Sequence, residues 1–118
     1  MVEKFRQLLE KMIQEKGSVT LFAIMKMDDI TDKWSVILSA PWINETSFNR
    51  DYTYLINLLN STFTAEESAT IARVGIFPAD EHLIQALLAY RSGSYIQEDV
   101  RLNGNVVHEA HVIASNPA

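Results

Sequence analysis

The segment Ser18-Val19-Thr20-Leu21-Phe22-Ala23-Ile24-Met25-Lys26-Met27, SVTLFAIMKM, decides how this chain folds. At the two-residue period of a strand, Val19, Leu21, Ala23 and Met25 fall on one side and Phe22 and Ile24 on the other. Both sides are apolar. Such a strand needs cover on both faces, which places it centrally in a sheet or against a second subunit. Lys33 to Trp42 alternates more simply: Trp34, Val36, Leu38, Ala40 and Trp42 share one face, and Ser35, Ile37 and Ser39 the other. Only Asp28-Asp29-Ile30-Thr31-Asp32 separates the two segments, so they pair as a hairpin. That acidic link lacks the alternating oxygen ligands, central glycine and terminal glutamate of a calcium loop and reads as a solvated turn.

Upstream, Val2, Phe5, Leu8, Leu9, Met12 and Ile13 repeat at helical spacing over residues 2–16, and Gly17 stops the helix. The stripe faces the core; a partner's groove is the alternative. Downstream, a second helix begins at Ser47 or Asn49 and runs to Phe63 with Asp51 in its first turn. Thr64-Ala65-Glu66-Glu67 has the form of a capping box and predicts a short additional helix. Arg73 to Phe77 reads as a strand ended by Pro78. A further helix follows, capped by Asp80, carrying Leu83, Ile84, Leu87, Leu88 and Tyr90, and closed by Gly93. Asn103-Gly104 signals a terminal hairpin. The expected fold is α+β in the order α-β-β-α-(α)-β-α-β-β. Its sheet has about five strands, predominantly antiparallel, with helices on at least one face.

One domain, residues 1–118, accommodates this pattern. Apolar residues make up 47% and charged residues 21%, values of an ordinary folded chain. The sequence has no cysteine, which excludes disulfides and thiolate metal sites. Its amphipathic start is unlike a signal peptide, and no apolar run approaches the roughly 20 residues that cross a bilayer. A cytoplasmic location is expected, with no membrane contact. The net charge of −5 is uneven: residues 1–50 carry seven Lys/Arg and seven Asp/Glu, residues 51–118 three and eight. An acidic surface without a basic patch disfavours direct nucleic-acid binding. The four scattered glycines form no phosphate loop, and no G-x-S-x-G elbow surrounds Ser39.

The most chemically suggestive stretch is NGNVVHEAHVI, residues 103–113. Two histidines four apart on a helix would hold zinc; here the spacing is three, and the β-branched flanks predict a strand that sends the imidazoles to opposite faces. Register decides their neighbours. A two-residue turn sets Glu98 across from Glu109, a like-charge pair. A three-residue bulged turn, Leu102-Asn103-Gly104, sets Glu98 opposite His108 and gathers Ile96, Val100, Val106, Ala110 and Val112 on one face. Gln97, Asp99, Arg101, Glu109 and His111 then share the other. The bulged turn and a Glu98–His108 contact of structural meaning are expected.

Two other places hold candidates. Pro78-Ala79-Asp80-Glu81-His82 is a strand-to-helix turn of the kind where α/β folds place ligands, with His82 in the first helical turn. Trp42 is read as a core residue or as an anchor for a partner or ligand at the rim. Trp42, Asp80, His82, Glu98 and His108 are thus the candidate contact residues, with no catalytic set, cofactor or resident metal. The functional expectation is a non-enzymatic, cytoplasmic protein-interaction or regulatory domain, homodimeric, binding another protein of basic character. The alternative is a small metal-assisted hydrolase using Glu98 and His108 with a third ligand such as His82.

Overall fold

The computed structural model describes residues 2–27, 30–97, 99–102 and 105–116. Its elements are α1 (Val2–Lys16), β1 (Leu21–Met27), β2 (Ile30–Ser39), α2 (Phe48–Thr62), α3 (Ala65–Ser68) and β3 (Ile71–Ile76). They continue with α4 (His82–Leu87), β4 (Tyr95–Ile96), β5 (Val100–Leu102) and β6 (Asn105–Ser115). The fold is α+β, and the order matches the expected one except that the first arm of the terminal hairpin is divided into β4 and β5. The sheet runs β3-β2-β1-β6-β4, with β5 also on β6. Every pair is antiparallel except β2–β3, which the α2 crossover makes parallel.

β1 lies at the centre, and its two apolar sides are covered within the chain. Phe22 and Ile24 join Phe5, Leu8 and Met12 of α1 and Leu55, Leu58 and Leu59 of α2 in one core. Leu21, Ala23, Met25 and Met27 face the other core, with Leu83, Ile84 and Leu87 of α4. Helices therefore pack on both faces of the sheet. The double-sided burial that suggested a second subunit has an intramolecular source.

Local chemistry sets the helix ends. Gly17, at φ +109°, turns the chain out of α1 while its N–H donates to the Ile13 carbonyl at 3.0 Å. The Ser47 hydroxyl is engaged by the preceding turn, accepting from Asn44 N–H at 3.2 Å, and gives α2 no side-chain cap. Asp51 is buried in α2 one turn ahead of Leu55. At α3 the capping box forms as expected. Glu67 N–H donates to Thr64 Oγ1 at 3.2 Å, and Thr64 N–H donates to the Glu67 carboxylate at 2.9 Å. The same carboxylate pairs with Lys4, tying α3 to α1, and the Lys4 ammonium is the main cause that holds the Glu67 pKa down at about 2.

Four expectations are corrected. Asp80 does not cap α4: the Glu81 N–H closes a turn onto the Pro78 carbonyl, which delays the helix, and Glu81 takes the cap position without a side-chain bond. The helix also stops at Leu87, well short of Gly93. In the terminal hairpin, Leu102 pairs with Asn105, Arg101 with Val106 and Val100 with Val107, so Leu102 belongs to the ladder where the bulged turn would have placed it in the loop; Asn103 and Gly104 lie outside the described residues. Yet Ile96 pairs with Ala110 and Tyr95 with His111, the register expected of the bulged turn. Four residue steps from Ile96 to Val100 face three from Ala110 to Val107. The extra residue reconciles the Leu102–Asn105 pairing with the inward placement of Ile96. β6 carries a second irregularity against β1 around His108, so Val107 is buried where Val106 was expected.

Candidate functional site

Among the described residues, one surface gathers aromatic and charged side chains and another encloses a crevice. The first follows from register. Val74 pairs with Val36, Val36 with Ile24, Ile24 with His111 and His111 with Tyr95, so one row of side chains crosses the sheet from β3 to β4. The row begins aliphatic and ends aromatic. Tyr95, 46% exposed, stacks on His111 with ring centroids 4.1 Å apart and planes at 2°. Trp34 of β2 meets the opposite side of this group, its ring centroid 5.7 Å from that of His111.

Charges frame these rings. Lys26 of β1 pairs with Glu109 of β6 at 3.6 Å, and its ammonium lies 4.7 Å from the Trp34 ring centroid. The Tyr95 hydroxyl donates to Glu109, which raises the phenol pKa because the phenolate would face a carboxylate. Burial pushes the His111 pKa below its ordinary 6.5; Glu109 opposes the shift and Arg6 adds to it. The imidazole is therefore neutral at pH 7. Further along the hairpin, His108 Nδ1 lies 2.7 Å from Asp99 Oδ1, the carboxylate largely in solvent and the imidazole partly so.

The second surface is a crevice of about 480 Å³ at the carboxyl ends of β2 and β3. Ala40, Pro41 and Ile43 form one wall as the chain leaves β2, and Pro78 and Ala79 form the other as it leaves β3. Thr20, ahead of β1, and Gln85 and Leu88, on and just after α4, complete it. Gln85 Nε2 donates to the Ala79 carbonyl at 2.6 Å, bracing the turn.

The candidate residues fare differently. Trp42 packs against the α1/α2 core, its Nε1–H donates to the Ser18 carbonyl at 3.0 Å, and its ring meets Tyr54 edge-on. Its neighbours in sequence, rather than the indole, line the crevice. Asp80 and His82 are exposed next to the same crevice without lining it. His108 meets Asp99; Glu98, and with it the expected Glu98–His108 contact, lies outside the described residues. Among the described residues no three His, Asp or Glu side chains gather as a metal site.

Sequence reasoning missed Tyr95, Lys26 and Trp34 as a group. The signal was present: the alternation that turns Ile96 inward with Ala110 turns Tyr95 outward beside His111 and Glu109. It also missed the meeting of Pro41 with Pro78, because nothing in either segment announces a parallel pair. Among the described residues no helix is long and apolar enough to cross a membrane. No protein-family model, no curated protein and no solved structure matches the chain.

Proposed function

We propose that this chain is a non-enzymatic, cytoplasmic protein-interaction domain that receives basic side chains of a partner on the surface formed by Tyr95, His111, Trp34 and Glu109. The observation that carries the reading is the exposed, flat Tyr95–His111 stack, bonded through the Tyr95 hydroxyl to a carboxylate. Aromatic residues on rigid strands are the usual anchors of an interface, since they offer a large contact area with little side-chain freedom to lose. Lys26, held between the Trp34 ring and Glu109, already provides an internal example of the recognition chemistry. A partner's guanidinium on the outer face of Tyr95 would repeat it. The eight acidic against three basic residues of positions 51–118 attract such a partner at long range.

Selection of random displayed peptides against the whole chain, with Tyr95→Ala as counter-target, tests this. Arginine- and lysine-rich peptides should be enriched, lose at least tenfold in affinity on Tyr95→Ala, and weaken with salt. Enrichment of acidic or neutral peptides, or indifference to Tyr95→Ala, overturns it. Light scattering tests the alternative occupant: a dimer that Tyr95→Ala converts to monomer would make a second copy of the chain the partner.

A further inference from the structure

The crevice at the ends of β2 and β3 has a topological origin. After β2 the chain passes to α2 on one face of the sheet, and after β3 it passes to α4 on the other. The two strands are the sheet's parallel pair, so both exits point the same way and the departing segments diverge. Divergence of this kind leaves an opening that side chains of neither helix fill, and open α/β sheets bind ligands there. Pro41 and Pro78 keep it open from both sides, since each follows its strand and has no N–H with which to extend the ladder.

The lining defines the occupant. About 480 Å³ lies within the range of about 300–1,000 Å³ typical of small-molecule sites. None of the residues that line the crevice is charged, so an ion entering it would lose hydration without a counter-charge. Thr20 and Gln85 supply hydrogen-bonding groups at its edges. Ser39, one residue before Ala40 on the face that α4 covers, is 1% exposed, and its hydroxyl has no partner among the described residues. Ser39 does not itself line the crevice, so a hydrogen bond to a bound molecule falls to Thr20 or Gln85.

We infer that this crevice is a binding site for an uncharged, mainly apolar small molecule with one hydrogen-bonding group, separate from the Tyr95 surface. Naphthol and its charged counterpart naphthoate serve as probes, titrated into the isotope-labelled full chain and followed by amide NMR shifts. Naphthol should saturate with its largest shifts at Thr20, Ala40, Ile43, Ala79 and Leu88, and naphthoate should bind at least tenfold more weakly. Ala79→Trp, which fills the opening from an exposed position, should weaken naphthol at least tenfold, whereas Tyr95→Ala should leave it unchanged. Absence of saturation, shifts centred elsewhere, equal binding of naphthoate, or a folded Ala79→Trp that binds like the parent would each overturn the inference. Should Ala79→Trp not fold, the shift map and the naphthoate comparison on the parent chain decide.

Discussion

Tyr95 lies flat on His111, ring planes 2° apart, and this stack joins the edge of the sheet to its second strand through side chains as well as backbone. A stacked ring shields one face of the imidazole from water, and a less solvated imidazole resists protonation.

The pH dependence follows in sign. The His111 pKa is depressed in the folded chain relative to its ordinary 6.5, so the unfolded chain takes up the proton first. Stability is unaffected by this group above that value and falls as pH drops below it. His111→Gln should flatten the decline between pH 6.5 and 5 in a series of thermal melts; an identical decline in the variant would assign it to other groups.

Acid sensitivity has a second, lower limb. Glu67 is held near 2 against an ordinary 4.5, so its contribution is present above 4.5 and disappears as pH falls toward 2. Glu67→Gln should reduce that limb in acid denaturation. Thr64→Ala, which removes the hydroxyl that accepts from the Glu67 N–H, should cost about 1 kcal/mol at neutral pH by urea unfolding.

The two sides of α1 should respond unequally to truncation. Phe5 is fully buried against Phe22 and Phe63, and Phe5→Ala should cost about 3–5 kcal/mol. Ile13, 45% exposed on the same helix, should change stability by less than about 0.5 kcal/mol when made Ala. Comparable losses at both would mean that the exposed side of α1 is covered in solution.

Gly75 on β3 tests a close approach. A Cβ there would sit 2.7 Å from the tip of the half-buried Phe77 ring, so Gly75→Ala must displace that ring and should cost no more than about 1 kcal/mol. Shortening the ring should relieve the clash, and Gly75→Ala should be less damaging on a Phe77→Leu background in a double-mutant cycle.

Much of the fold was legible because hydrophobic period and punctuation agree along most of the chain. Val2 to Gly17, the two-sided strand, and the Thr64 capping box each combine a pattern with a stop or start residue. Two features escaped for opposite reasons. Asp80 looks like a cap, but Pro78 creates a turn that consumes the position. As one continuous ladder the terminal hairpin needs a single register throughout; an inserted residue lets each end adopt a different one. The candidate sites were less legible still. The Tyr95 surface depends on strands that pair across the sheet, and the crevice on two segments 37 residues apart, Pro41 and Pro78, neither of which names the other.

β6 lies between β1 and β4, and the Asn116 side chain donates to the Val19 carbonyl across 97 residues of sequence. Assembly therefore has a definite bottleneck: the helices and the β1–β2 hairpin can associate early through nearby contacts, but the middle of the sheet closes only when the most distant segment arrives. Until then β1 offers an apolar, unpaired margin. Refolding should be slow for a domain of this length, and association of half-formed molecules through that margin should be its main competitor.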